Sequence, residues 1–448
     1  MTSNLTRVSL VRNTKYKASG MKSYVSALRK FGIGPTLEGP YFAGSKLAQQ
    51  GKFGKVGGKA SVQQHVLQKR TGTGDQATTG EVPAEDQQND SQYLAQVSIG
   101  TPGQNMMLDF DSGSADLWVW STSLPSQTQS QGTSSGHHIF DPSKSSTWKE
   151  SSGSTWKIEY GDQSSASGTV GTDNLTIGGL TVQNQAIELA DTLSQQFVTG
   201  AGDGLLGLAW GNINTVQPTA VATPVMNMIS QQDIPQSSEL FTAYLGSWRD
   251  TNDADKGESF YTFGYIDQDV LKAANVTEPT YTPVDNSQGF WMFDSTSASV
   301  NGTTIQRSGN TAIADTGTTL CLVDDNTCKS IYDAIPGSKY DSTQQGYTFP
   351  ANTSADQLPT VTFAVGDTQF TVQKEDLGFA DAGSGMTYGG IQSRGDQNFD
   401  IFGDTFLKSI YAIFDQGNKR FGAVQRTEAT QNVGNPPASG ATGTGSSL

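Results

Sequence analysis

Residues 108–119 read LDFDSGSADLWV, and residues 312–323 read AIADTGTTLCLV. Each stretch begins with apolar residues typical of a buried strand, continues with Asp, a small hydroxyl residue and Gly, and then returns to apolar residues. Asp111 and Asp315 occupy the same place in the two copies, 204 residues apart. The shared pattern indicates an internal duplication.

A second repeated element supports this duplication. Residues 205–207 (LLG) follow the first copy, with Gly207 96 residues after Asp111, and residues 401–403 (IFG) follow the second, with Gly403 88 residues after Asp315. A single Asp-Thr-Gly is typical of an ordinary turn. The occurrence of both elements twice, in the same order, is far more specific than one Asp-Thr-Gly. It predicts two homologous lobes related by an approximate twofold axis.

Short β-type runs recur between Gly, Asn, Asp and Ser clusters from Tyr93 onward, which is typical of an all-β protein. Helical patterns are few, at residues 223–232, where Thr223 caps and Pro224 takes the first position, and at residues 326–334. The length of 448 residues allows several domains. We expect five segments: a basic propeptide (1–70), a linker or mature N-terminus (71–92), an N-terminal β lobe (93–275), a C-terminal β lobe (276–426) and a disordered tail (427–448).

Charge is divided unevenly along the chain. The net charge is −15, but residues 1–70 hold 13 of the 28 basic residues and one of the 43 acidic residues, so this segment is +12 and the rest is −27. The acidic part after residue 70, called the body below, disfavours nucleic acid or anionic lipid as a partner. No stretch of the sequence approaches the roughly 20 apolar residues of a membrane helix. We interpret residues 1–70 as a docked propeptide that ends near the dibasic pair Lys69 and Arg70, with a disordered basic tail as the alternative.

Two carboxylates that meet at a twofold axis share one proton, because like charges so close together cannot both ionise easily. Asp111 and Asp315 are therefore the candidate catalytic pair. Residues 1–70 are called the leader below. At neutral pH one of its lysines, Lys15, Lys17 or Lys30, is expected to form a salt bridge with the pair. We assign supporting roles, as hydrogen-bond donors and close-packing positions, to the residues that follow the two aspartates: Ser112, Gly113, Ser114, Thr316, Gly317 and Thr318.

These motifs resemble those of the pepsin family of aspartic endopeptidases, and its fungal acid proteases in particular, over about residues 93–426. The resemblance implies a bilobal, all-β, pepsin-like fold with the active-site cleft between the lobes. It also implies an acid endopeptidase, made as a zymogen, that prefers large hydrophobic residues around the scissile bond. We expect protein and peptide substrates, a monomer, no cofactor, no metal, and secretion, with a vacuolar location as the alternative and a signal peptide missing from this numbering.

The stretch at residues 158–168, IEYGDQSSASG, resembles the β-hairpin flap of that family. The resemblance implies that Tyr160 closes over the substrate, with its hydroxyl held by the indole N–H of Trp118. Gly161 and Asp162 would then donate N–H groups to the substrate backbone. Phe197 matches a position that lines the pocket for the residue before the scissile bond.

Two other classes of function are alternatives to a protease. A catalytically inactive binding protein on the same fold usually lacks an Asp, the following Thr or Ser, or the flap Tyr, and here all are present. A two-carboxylate glycosidase fits the chemistry but not the duplicated loops. His65, His137 and His138 offer neither a Ser-His-Asp base nor a metal site, and we interpret the pair His137 and His138 as part of a solvated loop.

Two further features leave alternatives open. Cys321 and Cys328 either form a short disulfide or remain two buried thiols, because a bond needs Cα atoms within roughly 7 Å. The Asn-x-Ser/Thr sequons permit glycosylation in the secretory pathway, and they lie at Asn4, Asn89, Asn174, Asn275, Asn301 and Asn352.

Overall fold

The computed structural model describes residues 18–42, 80–87, 92–159, 165–198, 202–247, 249, 258–428 and 431–433. Strands predominate in this part of the chain, so the all-β class is confirmed. Among the described helices, none is long and apolar enough to cross a membrane. The predicted flap (Tyr160, Gly161 and Asp162) and the candidate lysines Lys15 and Lys17 lie outside the described residues.

The described strands follow one another in chain order as β1 Gly80–Gln87, β2 Gln92–Ile99, β3 Gln104–Asp111, β4 Leu117–Trp120, β5 Lys149–Glu159, β6 Ser165–Ile177, β7 Leu180–Leu193, β8 Gly204–Gly207, β9 Leu240–Tyr244, β10 Phe260–Phe263, β11 Thr280–Pro283, β12 Met292–Asp294, β13 Ser297–Val300, β14 Thr303–Gln306, β15 Thr311–Ala314, β16 Cys321–Val323, β17 Lys339–Asp341, β18 Gly346–Pro350, β19 Val361–Val365, β20 Thr368–Thr371, β21 Gly378–Gly383, β22 Met386–Gly389, β23 Ile391–Ser393, β24 Asp400–Phe402, β25 Ile410–Asp415 and β26 Arg420–Gln425. The helices are α1 Gly20–Lys30, α2 Ser126–Ser135, α3 Gln195–Val198, α4 Pro224–Gln231, α5 Gln268–Ala273, α6 Asp325–Asp333 and α7 Asp404–Leu407.

The two predicted helices are present. Helix α4 begins after its N-cap Thr223, whose Oγ1 accepts a hydrogen bond from the Met226 N–H, and Pro224 takes the first helical position. Helix α6 begins one residue earlier than predicted, because Asp324 is its N-cap. The Asp324 Oδ1 accepts a hydrogen bond from the Thr327 N–H at 2.9 Å. Both starts follow from the local capping residue.

The duplication is visible in the strand order. In the N-terminal lobe β3 pairs with β8 in parallel, β8 with β4 in antiparallel and β4 with β7 in parallel. In the C-terminal lobe β15, β24, β16 and β23 repeat the same three pairings. Each copy thus delivers an aspartate at the end of a central strand, beside the apolar-apolar-Gly strand that repeats with it.

A sheet built by both halves of the chain joins the lobes. Within the described residues a 13-stranded sheet runs in the order β11-β26-β25-β9-β10-β1-β2-β3-β8-β4-β7-β6-β5. Strand β9 pairs with β25, and the rings of Phe241 and Phe414 stack there with centroids 4.5 Å apart. The expected lobe boundary at residue 275 therefore does not separate two sheets.

The segment 71–92, expected to be a linker or the mature N-terminus, contains a strand. Strand β1 pairs with β10 on one side and with β2 on the other, so residues 80–87 belong to the sheet. Its sequence, GEVPAEDQ, is acidic and includes a proline, which hides the strand from a β-propensity pattern. Pairing of its backbone with neighbours on two sides holds it in the sheet.

Residues 431–433, within the segment expected to be a tail, contact the rest of the protein. The Asn432 N–H donates to the buried Glu375 carboxylate at 2.7 Å, and its side-chain amide donates to the Arg249 carbonyl at 3.0 Å. Val433 packs against the hydrophobic core. Polar groups of the tail meet buried polar groups of the body here, so docking does not need large apolar residues. Residues 429–430 and 434–448 lie outside the described part.

The leader contributes a helix that packs on the C-terminal lobe. Tyr24, Ala27 and Leu28 of α1 are buried, at the i, i+3, i+4 spacing of an amphipathic helix. The helix ends at Lys30, and Gly32 just beyond it has a φ of 63°, the left-handed conformation that favours glycine, with the Ile33 N–H donating to the Leu28 carbonyl at 2.7 Å. This ending directs the last helical residue, Lys30, toward the centre of the molecule.

Candidate active site

Asp111 and Asp315 meet at one lysine. Asp111 ends β3, Asp315 directly follows β15, and the two residues are 2% and 0% exposed. The Lys30 Nζ lies 2.7 Å from Asp111 Oδ1 and 3.0 Å from both carboxylate oxygens of Asp315. Lys30, the candidate lysine within the described residues, thus contacts the pair.

Each carboxylate is held by its own loop in the same way. The Gly113 N–H donates to Asp111 Oδ1 at 2.8 Å, and the Ser114 hydroxyl donates to Asp111 Oδ2 at 2.7 Å. The second loop repeats both bonds to Asp315, with Gly317 N–H and the Thr318 hydroxyl as donors. Donors to both oxygens favour the ionised form of each carboxyl group.

Reciprocal hydrogen bonds tie one loop to the other. The Ser112 N–H donates to Thr316 Oγ1 at 3.0 Å, and the Thr316 N–H donates to Ser112 Oγ at 2.9 Å. The same hydroxyls donate onward to the backbone of the opposite loop, Thr316 to the Phe110 carbonyl at 2.6 Å and Ser112 to the Ala314 carbonyl at 2.9 Å. All four donors are buried, so the spacing of the two aspartates is fixed by bonds that water does not replace.

The two glycines of the loops are required by the opposite carboxylate. A Cβ on Gly113 would lie 2.5 Å from Asp315 Oδ1, and one on Gly317 would lie 2.3 Å from Asp111 Oδ1. Any larger residue would push the carboxylates apart. The Gly of the Asp-Ser/Thr-Gly motif therefore serves the close approach of the two loops.

The two carboxyl groups differ in proton affinity. Burial raises the pKa of Asp315 to about 6, with the Lys30 charge opposing this rise and the Asp111 charge adding to it. Burial also acts to raise the pKa of Asp111, but the Lys30 charge and the hydrogen bonds outweigh it, and the pKa is lowered. Burial acts to lower the pKa of Lys30, yet the two carboxylates raise it. The pair can therefore hold one proton over a wide pH range.

Trp118 and Phe197 pack against each other. Their rings meet edge to face with centroids 5.3 Å apart, and Trp118 stacks on Trp156 at 6.0 Å. The Trp118 Nε1 is buried and has no acceptor within hydrogen-bonding distance among the described residues. Its bond to the Tyr160 hydroxyl stays a prediction, because Tyr160 lies outside those residues.

The disulfide alternative is wrong. Cys321 on β16 and Cys328 on α6 are both free and fully buried. The Cys328 thiol lies 3.8 Å from the Val323 carbonyl and acts as a weak donor to it. Burial raises the pKa of both thiols, which keeps them unreactive.

The interpretation of His137 and His138 as part of a solvated loop is wrong for His137 only, since the side chain of His138 is exposed. His137 is buried and stacks on Trp120 with ring centroids 4.3 Å apart. The His138 N–H donates to the buried Asp203 carboxylate at 2.7 Å, which fixes this turn against the DGLLGL strand. Across the described ranges, no group of three or more His, Cys, Asp or Glu side chains is arranged to hold a metal ion.

A bilobal all-β fold with two symmetric Asp-Ser/Thr-Gly loops defines a pepsin-like aspartic protease. A family model for eukaryotic aspartyl proteases matches residues 92–426. Aspergillopepsin-1 of Aspergillus oryzae is 42% identical over 347 residues, covering 77% of this chain and 82% of the relative. Penicillopepsin-1 of Penicillium janthinellum is 42% identical over 339 residues, covering 75% and 95%, and penicillopepsin-3 of the same organism is 39% identical over 348 residues, covering 77% and 81%. The chain belongs to the eukaryotic aspartyl protease family and is an aspartic endopeptidase.

Proposed function

We propose that this chain is the zymogen of an acid endopeptidase whose catalytic pair is Asp111 and Asp315, blocked by Lys30 of its own leader. The observation that carries the proposal is the single amine in contact with both carboxylates. A substrate or a water molecule needs the same oxygens. The leader therefore inhibits by occupying the reacting position.

In the proposed mechanism a water between the carboxylates attacks the peptide carbonyl. One carboxylate takes the proton of that water as the new C–O bond forms, and the other carboxyl group, protonated, polarises the carbonyl oxygen. As the C–N bond breaks, a proton passes from the pair to the amine, and the pair is left singly protonated again. The pair titrates as one unit, so the roles of base and acid belong to the pair.

The supporting residues have defined parts in this mechanism. Ser114 and Thr318 each donate to Oδ2 of their own aspartate, and the Oδ1 atoms of both aspartates contact Lys30. After the leader leaves, these Oδ1 atoms face the water. The reciprocal bonds of Ser112 and Thr316 keep the carboxylates at the separation that the reaction needs.

The leader is held by more than its lysine. The Tyr24 hydroxyl donates to the Ser393 carbonyl at 2.8 Å, inside an apolar cluster that α1 shares with the C-terminal lobe. Beyond the helix, the Gly34 N–H donates to Asp396 Oδ1 at 2.7 Å, and the Asp396 N–H donates to the Gly34 carbonyl at 2.9 Å. These contacts lie on the C-terminal lobe and place Lys30 at the pair.

Substrate preference and location are part of the proposal. We assign peptide substrates with large hydrophobic residues around the scissile bond, supported by the ring of Phe197, which matches a family position that lines such a pocket and which packs on Trp118. We also assign secretion, glycosylation and a monomeric state, with a vacuolar location as the alternative. The sequon residues Asn275, Asn301 and Asn352 are exposed, as glycosylation requires.

The test is digestion of a denatured protein at acid pH by the activated chain, with and without a statine-type transition-state inhibitor. We expect cuts on either side of large hydrophobic residues, abolished by the inhibitor and by Asp315→Asn. Mass spectrometry of the fragments maps the cut sites. Binding of peptides without any cleavage would favour the inactive binding protein and contradict the proposal.

A further inference from the structure

A second pair of acidic residues lies behind the Asp111 loop. Asp116 comes five residues after Asp111, and Glu188 lies on β7 beside Trp118 of β4. Asp116 is 2% exposed and Glu188 is fully buried. Neither belongs to the candidate catalytic pair, and the sequence motifs assign no role to Glu188.

One amide group joins the two carboxyl groups. The Asn214 Nδ2 donates to Asp116 Oδ1 and to Glu188 Oε1, each at 3.1 Å. Asp116 Oδ1 also accepts from the N–H and the hydroxyl of Thr215, both at 2.8 Å. By contrast, no donor among the described residues reaches Glu188 Oε2. A buried carboxylate oxygen without a donor is costly unless the group carries a proton.

The charged surroundings offer no compensation. Within the described ranges no lysine, arginine or histidine forms an ion pair with Asp116 or Glu188, and the further charged group that acts on Asp116 is the acidic Asp111. Burial and the neighbouring Asp116 charge raise the pKa of Glu188 well above its usual value, and burial raises the pKa of Asp116. The Asn214 amide holds the two carboxyl groups next to each other, where like charges cannot both ionise easily.

The pair is connected to the catalytic loop through backbone contacts. The same Asn214 Nδ2 donates to the Ala115 carbonyl at 3.1 Å, in the middle of the loop that runs from Asp111 to Asp116. The neighbouring Ser114 carbonyl accepts from the Ala209 N–H at 2.8 Å, and the Ser114 hydroxyl donates to Asp111 Oδ2. Displacement of Asn214 would therefore move the donor that orients Asp111.

We propose that Asp116 and Glu188 share one proton, and that this proton positions the Asp111 loop and makes its stability dependent on pH. Both are positioning residues that act through Asn214 and the Ala115 backbone. When the proton leaves, two buried negative charges face each other across one amide donor. Their repulsion separates them and releases the loop.

The direction of the pH dependence follows from proton counting. The unfolded chain releases this proton near the ordinary carboxyl value of about 4, whereas the folded chain keeps it to higher pH. The stabilisation is complete below that value and is lost as pH rises through the raised folded pKa. Between the pKa of the unfolded chain and that of the folded chain, each rise of one pH unit lowers the folded-to-unfolded ratio about tenfold. The pair thus suits a protein that acts in acid.

A direct test is infrared difference spectroscopy of the full-length chain at pH 7. A protonated carboxyl group gives its own C=O stretching band, and the proposal expects this band to disappear in Glu188→Gln. The glutamine side chain has the same shape and donates a hydrogen bond without needing a proton. Glu150→Gln, an exposed residue of the same lobe, is the matched control and should keep the band. A band of equal size in Glu188→Gln would overturn the proposal.

A second test measures the loss of activity at neutral pH, and this part rests on the proposed protease function. The activated enzyme is held at pH 7 and assayed in acid at intervals. We expect inactivation of Glu188→Gln to be at least tenfold slower than that of the wild type, with Glu150→Gln unchanged. Asp116→Asn, which also places a permanent donor in the pair, covers the case in which Glu188→Gln does not fold. Wild-type rates in both amide variants would overturn the positioning role, whatever the infrared result.

Discussion

Lys30 forms a buried ion pair with Asp111, and its Nζ lies 2.7 Å from Asp111 Oδ1 although 81 residues separate the two in the chain. The lysine side chain is 14% exposed and the aspartate 2%. Because Asp315 contacts the same amine, one cation serves two carboxyl groups. The arrangement is neutral when the acidic pair holds one proton and negative when it holds none, so its charge balance depends on pH.

Replacement of Lys30 by Met should weaken the docking of the leader. Methionine keeps much of the apolar length of the side chain but loses bonds to both aspartates, and a hydrogen bond to a charged group contributes about 1.5–3 kcal/mol. We expect the leader of Lys30→Met to be released roughly tenfold faster or more at a given mildly acid pH. Release is followed by gel electrophoresis. Lys22→Met, on the exposed side of α1, is the control, and equal rates in the two variants would contradict the role of Lys30.

Asp111→Asn and Asp315→Asn should each abolish peptidase activity while the fold is retained. Residues that act as one unit are not additive, so we expect a loss of about 10⁴-fold or more for each single variant and little further loss in the double variant. The measurement is kcat/KM on a peptide substrate, with circular dichroism to check folding. Asp294→Asn, an exposed position, is the matched control. Substantial turnover by either single variant would exclude the assigned pair.

Thr318→Val should move the pH profile of the activity upward. The Thr318 hydroxyl donates to Asp315 Oδ2, and this bond lowers the pKa of Asp315 against the larger effect of burial. Loss of a bond to a charged group corresponds to a shift of roughly one to two pH units. Thr318→Ser keeps the hydroxyl and should keep the wild-type profile. Coincident profiles of the Val and Ser variants would show that this bond does not set the proton affinity of the pair.

The motif-bearing parts of the site were predictable because their contacts are local. Ser114 and Thr318 lie three residues after their aspartates, and the turn brings each hydroxyl back to its own carboxylate. The duplication accounts for the contact between the two loops, since two equal loops that meet at an axis form reciprocal hydrogen bonds. The sequence therefore contains the information for the pair and its immediate donors.

The contacts that the sequence did not reveal are long-range. The choice of Lys30 among the leader lysines depends on the register of α1, which the spacing of Tyr24, Ala27 and Leu28 signals once a helix is considered. Glu188 reaches Asp116 because β7 pairs with β4, and no local pattern records that pairing. For the same reason, β1 and the docked residues 431–433 have polar sequences whose partners lie far away in the chain.

The contacts of Lys30 link the docking of the leader to pH. Burial acts to raise the pKa of both carboxyl groups, and the Lys30 charge acts to lower both. Because the cation binds the ionised carboxylates best, both contacts stabilise docking at higher pH and are lost as the carboxyl groups take up protons. Asp315, with a pKa of about 6, takes up its proton first, whereas the lowered pKa of Asp111 places its loss below the ordinary value of about 4.

This difference predicts how α1 responds to pH in an inactive background. Asp315→Asn cannot cleave its own leader but keeps the ion pair between Lys30 and Asp111, so its α1 should be protected from amide hydrogen exchange at pH 7 and lose that protection at about pH 3. Adding Asp111→Asn removes the pair, and protection should then be weak already at pH 7. Salt should act in the same direction, because the screening length is about 8 Å at 0.15 M. Exchange measured by mass spectrometry, corrected for the intrinsic effect of pH, resolves the helix Gly20–Lys30. Equal protection of the single variant at both pH values would show that apolar packing of α1, and not charge, holds the leader.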